Sequence, residues 1–295
     1  MTTGISIILP AKNEADSLKS LLPRLRETYP DAQILVVDDG STDDTVEICH
    51  QNTVDVVSHV YSMGNGAAIK TGARNATGDI LVFMDADGQH DPDDINRLIE
   101  KLDANFEMAV GARQPDTHAS LVRRIGNSLY NRLASWMTGY PIEDLTSGFR
   151  AARARHFKRF LYLLPNKFSY PTTITMAFFR SGMPVGYVPI QAINRQGNSK
   201  SHIRILHDGL RFFIIILKIG ALFSPMRFFL PISALLFMVG ITYYGYTYIY
   251  FGRLTNMSTI LILSSLFTFL IGIVSEQISA LHYKDIEESK RRILR

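Results

Sequence analysis

The sequence predicts an α/β domain with a mostly parallel sheet, followed by an amphipathic helix and a pair of membrane-spanning helices. Three observations carry that expectation. Short, almost wholly apolar runs alternate with helical patterns through the first 115 residues. Polar clusters rich in carboxylates follow directly on three of those runs. Two later stretches hold no charged side chain over more than the roughly 20 residues that cross a bilayer core.

The runs at 4–10, 33–38, 54–58, 80–84 and 108–111 read as strands buried on both faces, the pattern of a parallel sheet covered by helices. Helical patterns fall between them at 15–28, 43–51, 65–76 and 93–103. Helix and turn signals at 165–185 lead to a final strand at 186–194. Sheets of this kind place ligands beyond the carboxyl ends of their strands. Lys12-Asn-Glu14, Asp38-Asp-Gly-Ser-Thr-Asp43 and Asp85 to Gln89 all stand there.

The charge-free stretches 228–251 and 254–275 predict spans at about 228–251 and 256–277. Arg253 is the one charge between them, whereas Lys200, Arg204, Arg211, Lys218 and Arg227 precede the pair, and Lys284, Lys290, Arg291, Arg292 and Arg295 follow it. The positive-inside bias puts both flanks in the cytoplasm and the turn outside. Tyr243, Tyr244, Tyr246, Tyr248 and Tyr250 cluster toward that turn as an interfacial belt would. From 202 to 223, Arg204, His207, Asp208, Arg211 and Lys218 recur at helical spacing against Ile203, Leu206, Leu210, Phe213 and Leu217, which reads as a helix lying in the membrane interface. The expected division is a catalytic domain over 1–200, the interfacial helix over 201–224, the spans within 225–283 and a basic cytoplasmic tail at 284–295.

The net charge of +4 does not point to nucleic acid. The basic residues crowd around the apolar stretches, and no basic helix interleaved with aromatics occurs in the first 190 residues. An anionic lipid surface accounts for them better. The first apolar run is short and meets Lys12-Asn13-Glu14, so no signal peptide is expected and the catalytic portion belongs in the cytosol. Cys49 is the one cysteine, which excludes disulfides and cysteine-based metal sites.

The strand at 80–84 runs out into Asp85-Ala-Asp87. Residues at i and i+2 of a strand share a face, so both carboxylates can meet one hard cation such as Mg2+ or Mn2+, which keeps open positions for phosphate. Asp91-Pro92 is expected to restart a helix with an acidic cap. The bland alternative is an ordinary polar turn. Gly64-Asn-Gly66 invites a dinucleotide fingerprint, but its third glycine would fall at Ile69, so the pair is read as a helix-entry loop. Asp38-Asp39-Gly40 is a turn with more carboxylates than a cap requires, leaving one to accept from a base N–H or a ribose hydroxyl.

Pro10-Ala-Lys-Asn-Glu14, Val36-Val-Asp-Asp-Gly-Ser-Thr-Asp43, Gly64 to Gly72, Met84-Asp-Ala-Asp-Gly-Gln89, Thr146-Ser-Gly-Phe-Arg150 and Arg195 to Lys200 follow one another in the order of family 2 glycosyltransferases of the Rossmann-like GT-A fold. Within that family the chain resembles polyprenyl-phosphate glycosyltransferases related to dolichol-phosphate mannose synthase. The resemblance implies a nucleoside held by Pro10, Ala11, Asn13, Glu14 and Asp38 or Asp39, with Lys70, Asp85, Ala86 and Arg113 toward the donor phosphates. It implies a metal, Mg2+ or Mn2+, at Asp85, Asp87 and Gln89. Arg195 and Lys200 match a basic loop near the acceptor phosphate, with Arg123 and Arg124 as a looser match there. Asp144 matches a carboxylate near the transferred sugar. Catalysis is thereby assigned to Asp87, Asp144, Arg195 and Lys200.

The activity implied is inverting transfer of one sugar from a UDP- or GDP-linked donor to an undecaprenyl or dolichyl phosphate at the cytoplasmic membrane face, by a protein that can be a homo-oligomer. A phosphate nucleophile is already ionised at pH 7, so Asp144 is expected to orient sugar hydroxyls rather than act as a strong base. One rival, a processive polysaccharide synthase, would carry Gln-x-x-Arg-Trp, whereas Trp136 sits in Ala-Ser-Trp-Met. The other, a silent nucleotide-sugar sensor, would be expected to have lost such residues as Asp85 and Asp87.

Overall fold

The computed structural model describes residues 4–113, 121–166, 170–191 and 223–293, with the side chains of 121–125, 127 and 282–293 left undescribed. The first unit is built on a seven-stranded sheet in the order β3-β2-β1-β4-β6-β5-β7. β1 (Ile5–Ala11), β2 (Gln33–Asp38), β3 (Asp55–Ser58), β4 (Ile80–Phe83) and β5 (Met108–Arg113) lie where the apolar runs predict. β7 (Val185–Ile190) pairs parallel with β5. The expected final strand reached 194, and 192–194 lie outside the described residues.

Both faces of the sheet are buried because consecutive strand residues point to opposite sides. Ile7 and Leu9 join Leu18, Leu22 and Leu25 of α1 (Ala15–Thr28) and Ile95, Leu98 and Leu102 of α4 (Asp94–Asp103) in one core. Ile8 faces the other way, onto α3 (Asn65–Asn75), where a Cβ on Gly72 would fall 2.4 Å from Ile8 Cγ2. The glycine lets α3 lie close on the sheet. α2 (Thr45–Gln51) buries Cys49, and burial pushes its thiol up to about 11, as expected of a packed rather than reactive cysteine.

Two features depart from expectation. Asp91-Pro92 does not open α4: Asp91 Oδ1 accepts from the Asp93 amide at 3.0 Å, forming a turn, and the helix begins at Asp94. The second is β6 (Arg150–Arg153), which runs antiparallel between β4 and β5. It is reached through α5 (Leu121–Thr138) and followed by α6 (Ala154–Phe157), a short 3₁₀ turn and α7 (Tyr170–Arg180). Its opposite direction means that residues just before it, not after it, arrive at the edge where β4 and β5 end.

The second unit comprises Met137–Gly139 and 202–295. Its described helices are α8 (Pro225–Phe251) and α9 (Asn256–Ile293), both long and apolar enough to cross a membrane. The expected helix at 202–223 lies outside the described residues except for Phe223. The two helices pack through small residues: a Cβ on Gly240 would meet Ile262 at 3.0 Å, one on Gly272 would meet Phe229 at 2.9 Å, and Ser233 Oγ donates to the Ser265 carbonyl at 2.9 Å. Leu235, Met238, Ile249 and Phe267 point outward, where a soluble protein would bury them. Gly252, at φ +65°, ends α8 in the left-handed region that glycine adopts without strain.

Candidate active site

The carboxyl edge of the sheet collects the polar clusters. At the end of β2, Asp39 is 5% exposed and accepts four hydrogen bonds. His59 Nδ1 and the Met63 amide meet Oδ1, and the Ser62 hydroxyl and the Gly64 amide meet Oδ2, all at 2.8 Å. Burial pushes this carboxyl up, but those donors outweigh it and hold it below the usual carboxylate range. His59 Nε2 continues to Thr71 Oγ1 at 2.9 Å, so one buried chain ties β2 to the entry of α3. Gly40, at φ +72°, lies against the backbone of Tyr61 and Ser62, leaving no room for a side chain. Asp38 accepts from the Ser41 amide at 2.9 Å through Oδ1.

The loop after β1 is laced to the same turn. Asn13, in the left-handed region at φ 55°, donates its amide to Ser41 Oγ at 2.9 Å and accepts from the Thr42 amide at 2.8 Å. The Glu14 amide donates to Thr45 Oγ1, and the Ala15 amide to Asp43 Oδ2, each at 3.1 Å. Ala11 contributes its carbonyl to the Asp39 amide at 2.8 Å. Pro10 is half-buried beside it. Lys70 donates to the Leu164 carbonyl at 3.1 Å and to Asn166 Oδ1.

Beyond the end of β4, in a loop and turn rather than in the strand that the sequence predicts to 84, Asp85 and Asp87 are partly exposed and Ala86 between them is buried. Asp87 Oδ1 accepts from the Gln89 amide at 3.2 Å. His90 is buried, stacks on Phe149 with ring centroids 4.8 Å apart, and brings Nε2 to 3.7 Å from Asp85 Oδ2. A Cβ on Gly148 would fall 3.0 Å from the same oxygen, so the loop before β6 packs directly on Asp85. Among the described residues no group of three or more His, Cys, Asp and Glu could hold a metal by itself. Two carboxylates with open positions suit a cation whose remaining ligands come from a diphosphate.

Arg113, the last residue of β5, forms a two-toothed ion pair with Asp144. Nε donates to Oδ2 at 2.8 Å and Nη2 to Oδ1 at 3.1 Å, and Nη2 also reaches Thr146 Oγ1 at 2.7 Å. The amides of Thr146 and Ser147 add bonds to Asp144 Oδ1 at 3.0 and 3.1 Å. Burial raises the Asp144 carboxyl, yet the bonds and charge of Arg113 overcome it and leave the group below the usual range. Burial lowers Arg113, and the bond and charge of Asp144, helped by the charge of Asp85, raise it.

Arg150 has no exposed surface. Its guanidinium donates to the Pro171 carbonyl and Thr175 Oγ1 at 3.2 Å and to the Ser147 carbonyl, and lies 5.6 Å from the Tyr170 ring centroid. It thereby fixes the loop carrying Asp144 and Gly148. Sequence reasoning placed Arg150 in a motif without a role and missed His59, Thr71 and His90; a histidine directly after a strand end was the available signal for His59. Arg123 and Arg124 lie on α5 with undescribed side chains, and Arg195 and Lys200 lie outside the described residues.

This carboxyl edge, with carboxylates at the ends of β2 and β4 and an ion pair closing β5, defines a Rossmann-like GT-A glycosyltransferase domain. Solved structures of glucosyl-3-phosphoglycerate synthase from Mycobacterium tuberculosis share the fold. The complex with phosphoglyceric acid superposes with a TM-score of 0.58 at 19% identity, covering 75% of this chain and 80% of that one. The complex with Mn2+ and UDP-glucose gives 0.56 at 20%, covering 75% and 79%.

The chain belongs to glycosyl transferase family 2, whose pattern matches residues 6–161. Residues 224–281 match the GtrB C-terminal hairpin. Among its relatives, an undecaprenyl-phosphate mannosyltransferase of Micrococcus luteus is 31% identical over 217 residues, covering 65% of this chain and 85% of that one. A polyprenol monophosphomannose synthase of Mycolicibacterium smegmatis is 29% identical over 207 residues, covering 64% and 77%. An undecaprenyl-phosphate 4-deoxy-4-formamido-L-arabinose transferase of Klebsiella pneumoniae is 30% identical over 218 residues, covering 69% and 64%.

Proposed function

We propose that this protein transfers one sugar from a nucleotide-sugar to a polyprenyl phosphate at the cytoplasmic face of a membrane. The observation that carries this reading is the union in one chain of a family 2 domain, with its carboxylate-lined edge, and a two-helix apolar hairpin. A soluble acceptor would need no such anchor. An acceptor confined to a bilayer gains effective concentration from it. The names of the relatives support a polyprenyl-phosphate acceptor. Charges flanking α8 and α9 favour cytoplasmic termini.

The donor nucleoside lies across Pro10, Asn13, Glu14 and Asp38, with Asp39 holding the wall behind it through His59, Ser62, Met63 and Gly64. Asp85 and Asp87, with Gln89 alongside, have the oxygen donors and open positions for Mg2+ or Mn2+, which when bound would offset charge on the departing diphosphate. Arg113 faces that diphosphate while Asp144 holds its guanidinium in orientation. An acceptor phosphate oxygen forms the bond to the anomeric carbon as the bond from that carbon to the diphosphate breaks, its electron pair leaving with the nucleoside diphosphate. The acceptor is ionised at neutral pH, so no proton has to be removed from it. Asp144, already accepting from Arg113, Thr146 and Ser147, positions Arg113 instead of acting as a base. Arg195 and Lys200 offset the repulsion between the two anions.

The test is to incubate the purified full chain with undecaprenyl phosphate and, in turn, UDP-glucose, UDP-galactose, GDP-mannose and related donors, with Mg2+ or Mn2+, and to weigh the lipid product. One donor should yield a lipid heavier by a single sugar. Ladders of added sugars would favour a processive synthase, and donor binding without transfer across the panel would favour a sensor.

A further inference from the structure

We propose that Trp136 and Tyr140 form an aromatic anchor seated in the headgroup layer of the membrane, so that the chain grips the bilayer through the end of α5 as well as through α8 and α9. Both rings are large and substantially exposed, at 48% and 54%. They flank Met137–Gly139, the last two residues of α5 and the glycine after it, which belong to the same compact unit as the apolar helices. Within that unit the Met137 carbonyl accepts from Ser224 Oγ at 2.9 Å and from Arg227 Nη1 at 3.1 Å.

Those two bonds set the depth. Ser224 caps α8, whose 27 residues extend about 40 Å at about 1.5 Å each, against a hydrocarbon thickness of about 30 Å. The cap therefore stands at the boundary rather than in the core. Arg227, the last charge before the charge-free stretch, and Glu276, whose Oε2 accepts from the Met226 amide at 3.3 Å, mark the same level. Trp136 is covalently next to Met137, so it cannot lie far from this plane. Rings with an apolar body and a polar edge favour that layer. Tyr140 stacks on Phe179 with ring centroids 5.3 Å apart and an interplanar angle of 11°, which holds it rigid, and Leu129 and Arg132 of α5 are exposed as well, an apolar and a basic side chain suited to an anionic lipid surface. The occupant is an anionic phospholipid surface, at the level that Ser224, Arg227 and Glu276 mark on the apolar helices.

The inference rests on reading α8 and α9 as membrane-spanning, and the experiment separates the two. Trp136 is the only tryptophan of the chain, so its fluorescence reports this position alone. The full chain would be reconstituted in phosphatidylethanolamine and phosphatidylglycerol vesicles, floated, and examined with lipids brominated near the headgroup or near the chain end. Flotation with emission at least two-fold more quenched by shallow than by deep bromines, and shielded from aqueous iodide, is expected. Flotation with iodide-accessible emission insensitive to brominated lipid overturns the anchor and leaves the spans standing. Equal or stronger quenching by deep bromines also overturns it. Failure to float removes both readings.

Discussion

Arg113 and Asp144 lie 31 positions apart in sequence and meet side by side, with Nε 2.8 Å from Oδ2 and Nη2 3.1 Å from Oδ1. The pair joins the end of β5 to the loop that enters β6. An arginine held this way faces an incoming phosphate with its orientation already fixed, which lowers the ordering cost of binding.

Asp144→Asn should lower the turnover number about tenfold or more without removing the acidic limb of the pH profile, because the carboxylate positions Arg113 and takes no proton. Its effect on stability has a definite sign. The folded carboxyl lies below its unfolded value of about 3.9, so its contribution is complete above that pH and is lost as pH falls through the folded value. Arg113 is 41% exposed, which limits the contribution to about 1 kcal/mol. The difference in Tm between wild type and Asp144→Asn should be constant from about pH 5 to 8 and shrink below about pH 4. Loss of the acidic limb instead would make Asp144 a base.

Asp38→Asn and Asp39→Asn should behave differently although the residues are neighbours. The Asp39 change turns one of the two acceptor oxygens into an NH2 group, which leaves two of the four donors without an acceptor and facing a donor, and should cost about 2–3 kcal/mol, read as a fall in Tm. Asp38→Asn should leave Tm nearly unchanged and raise the donor KM, the result expected of the carboxylate proposed to meet the nucleoside. Reversed effects would exchange their roles.

Asp87→Ala should reduce kcat by about a hundredfold or more while the far-ultraviolet circular dichroism is unchanged, and EDTA should silence the wild type until Mg2+ or Mn2+ is restored. Full turnover in EDTA would remove the metal from the mechanism. Asp85→Ala should add a larger rise in donor KM.

Gly148→Ala should displace Asp85, whose Oδ2 would lie 3.0 Å from the new methyl group. Weaker Mn2+ binding in the presence of nucleoside diphosphate, followed by electron paramagnetic resonance, is the expected result, with Tm lowered little. Gly126→Ala is the comparison, because nothing lies within 4 Å of its would-be Cβ. Equal Mn2+ affinity in the two variants would show that the loop before β6 does not set the position of Asp85.

The elements legible in the sequence were those with strong local periodicity. β1 to β5 are apolar runs that remain strands because helices cover both faces, and α1 to α4 carry their buried stripes in the pattern itself. β6 was not legible. It is Arg150-Ala-Ala-Arg153, too short and too charged to look like a strand, and it exists because Phe83 and Val110 on either side supply its ladder. The candidate site was legible as a set of residue types at strand ends but not as a set of partners. Nothing in the order of residues says that Asp39 is spent on His59, Ser62, Met63 and Gly64, that Lys70 turns toward Asn166, or that Arg113 closes on Asp144. Such pairings are decided by how far apart in sequence the strand ends can be and still adjoin in space.

The reversed direction of β6 has a consequence for how this enzyme can be varied. The chain leaves the carboxyl edge of the sheet at Arg113 and returns to it at Asp144, and the ion pair between these two residues joins the ends of the intervening segment, which includes α5. The Arg113–Asp144 pair therefore ties down both ends of the segment, whatever its length between them. A change of length there would be taken up outside the sheet, leaving the ends of β1, β2 and β4 where they are, so this is the place to insert a reporter sequence without disturbing the carboxyl edge.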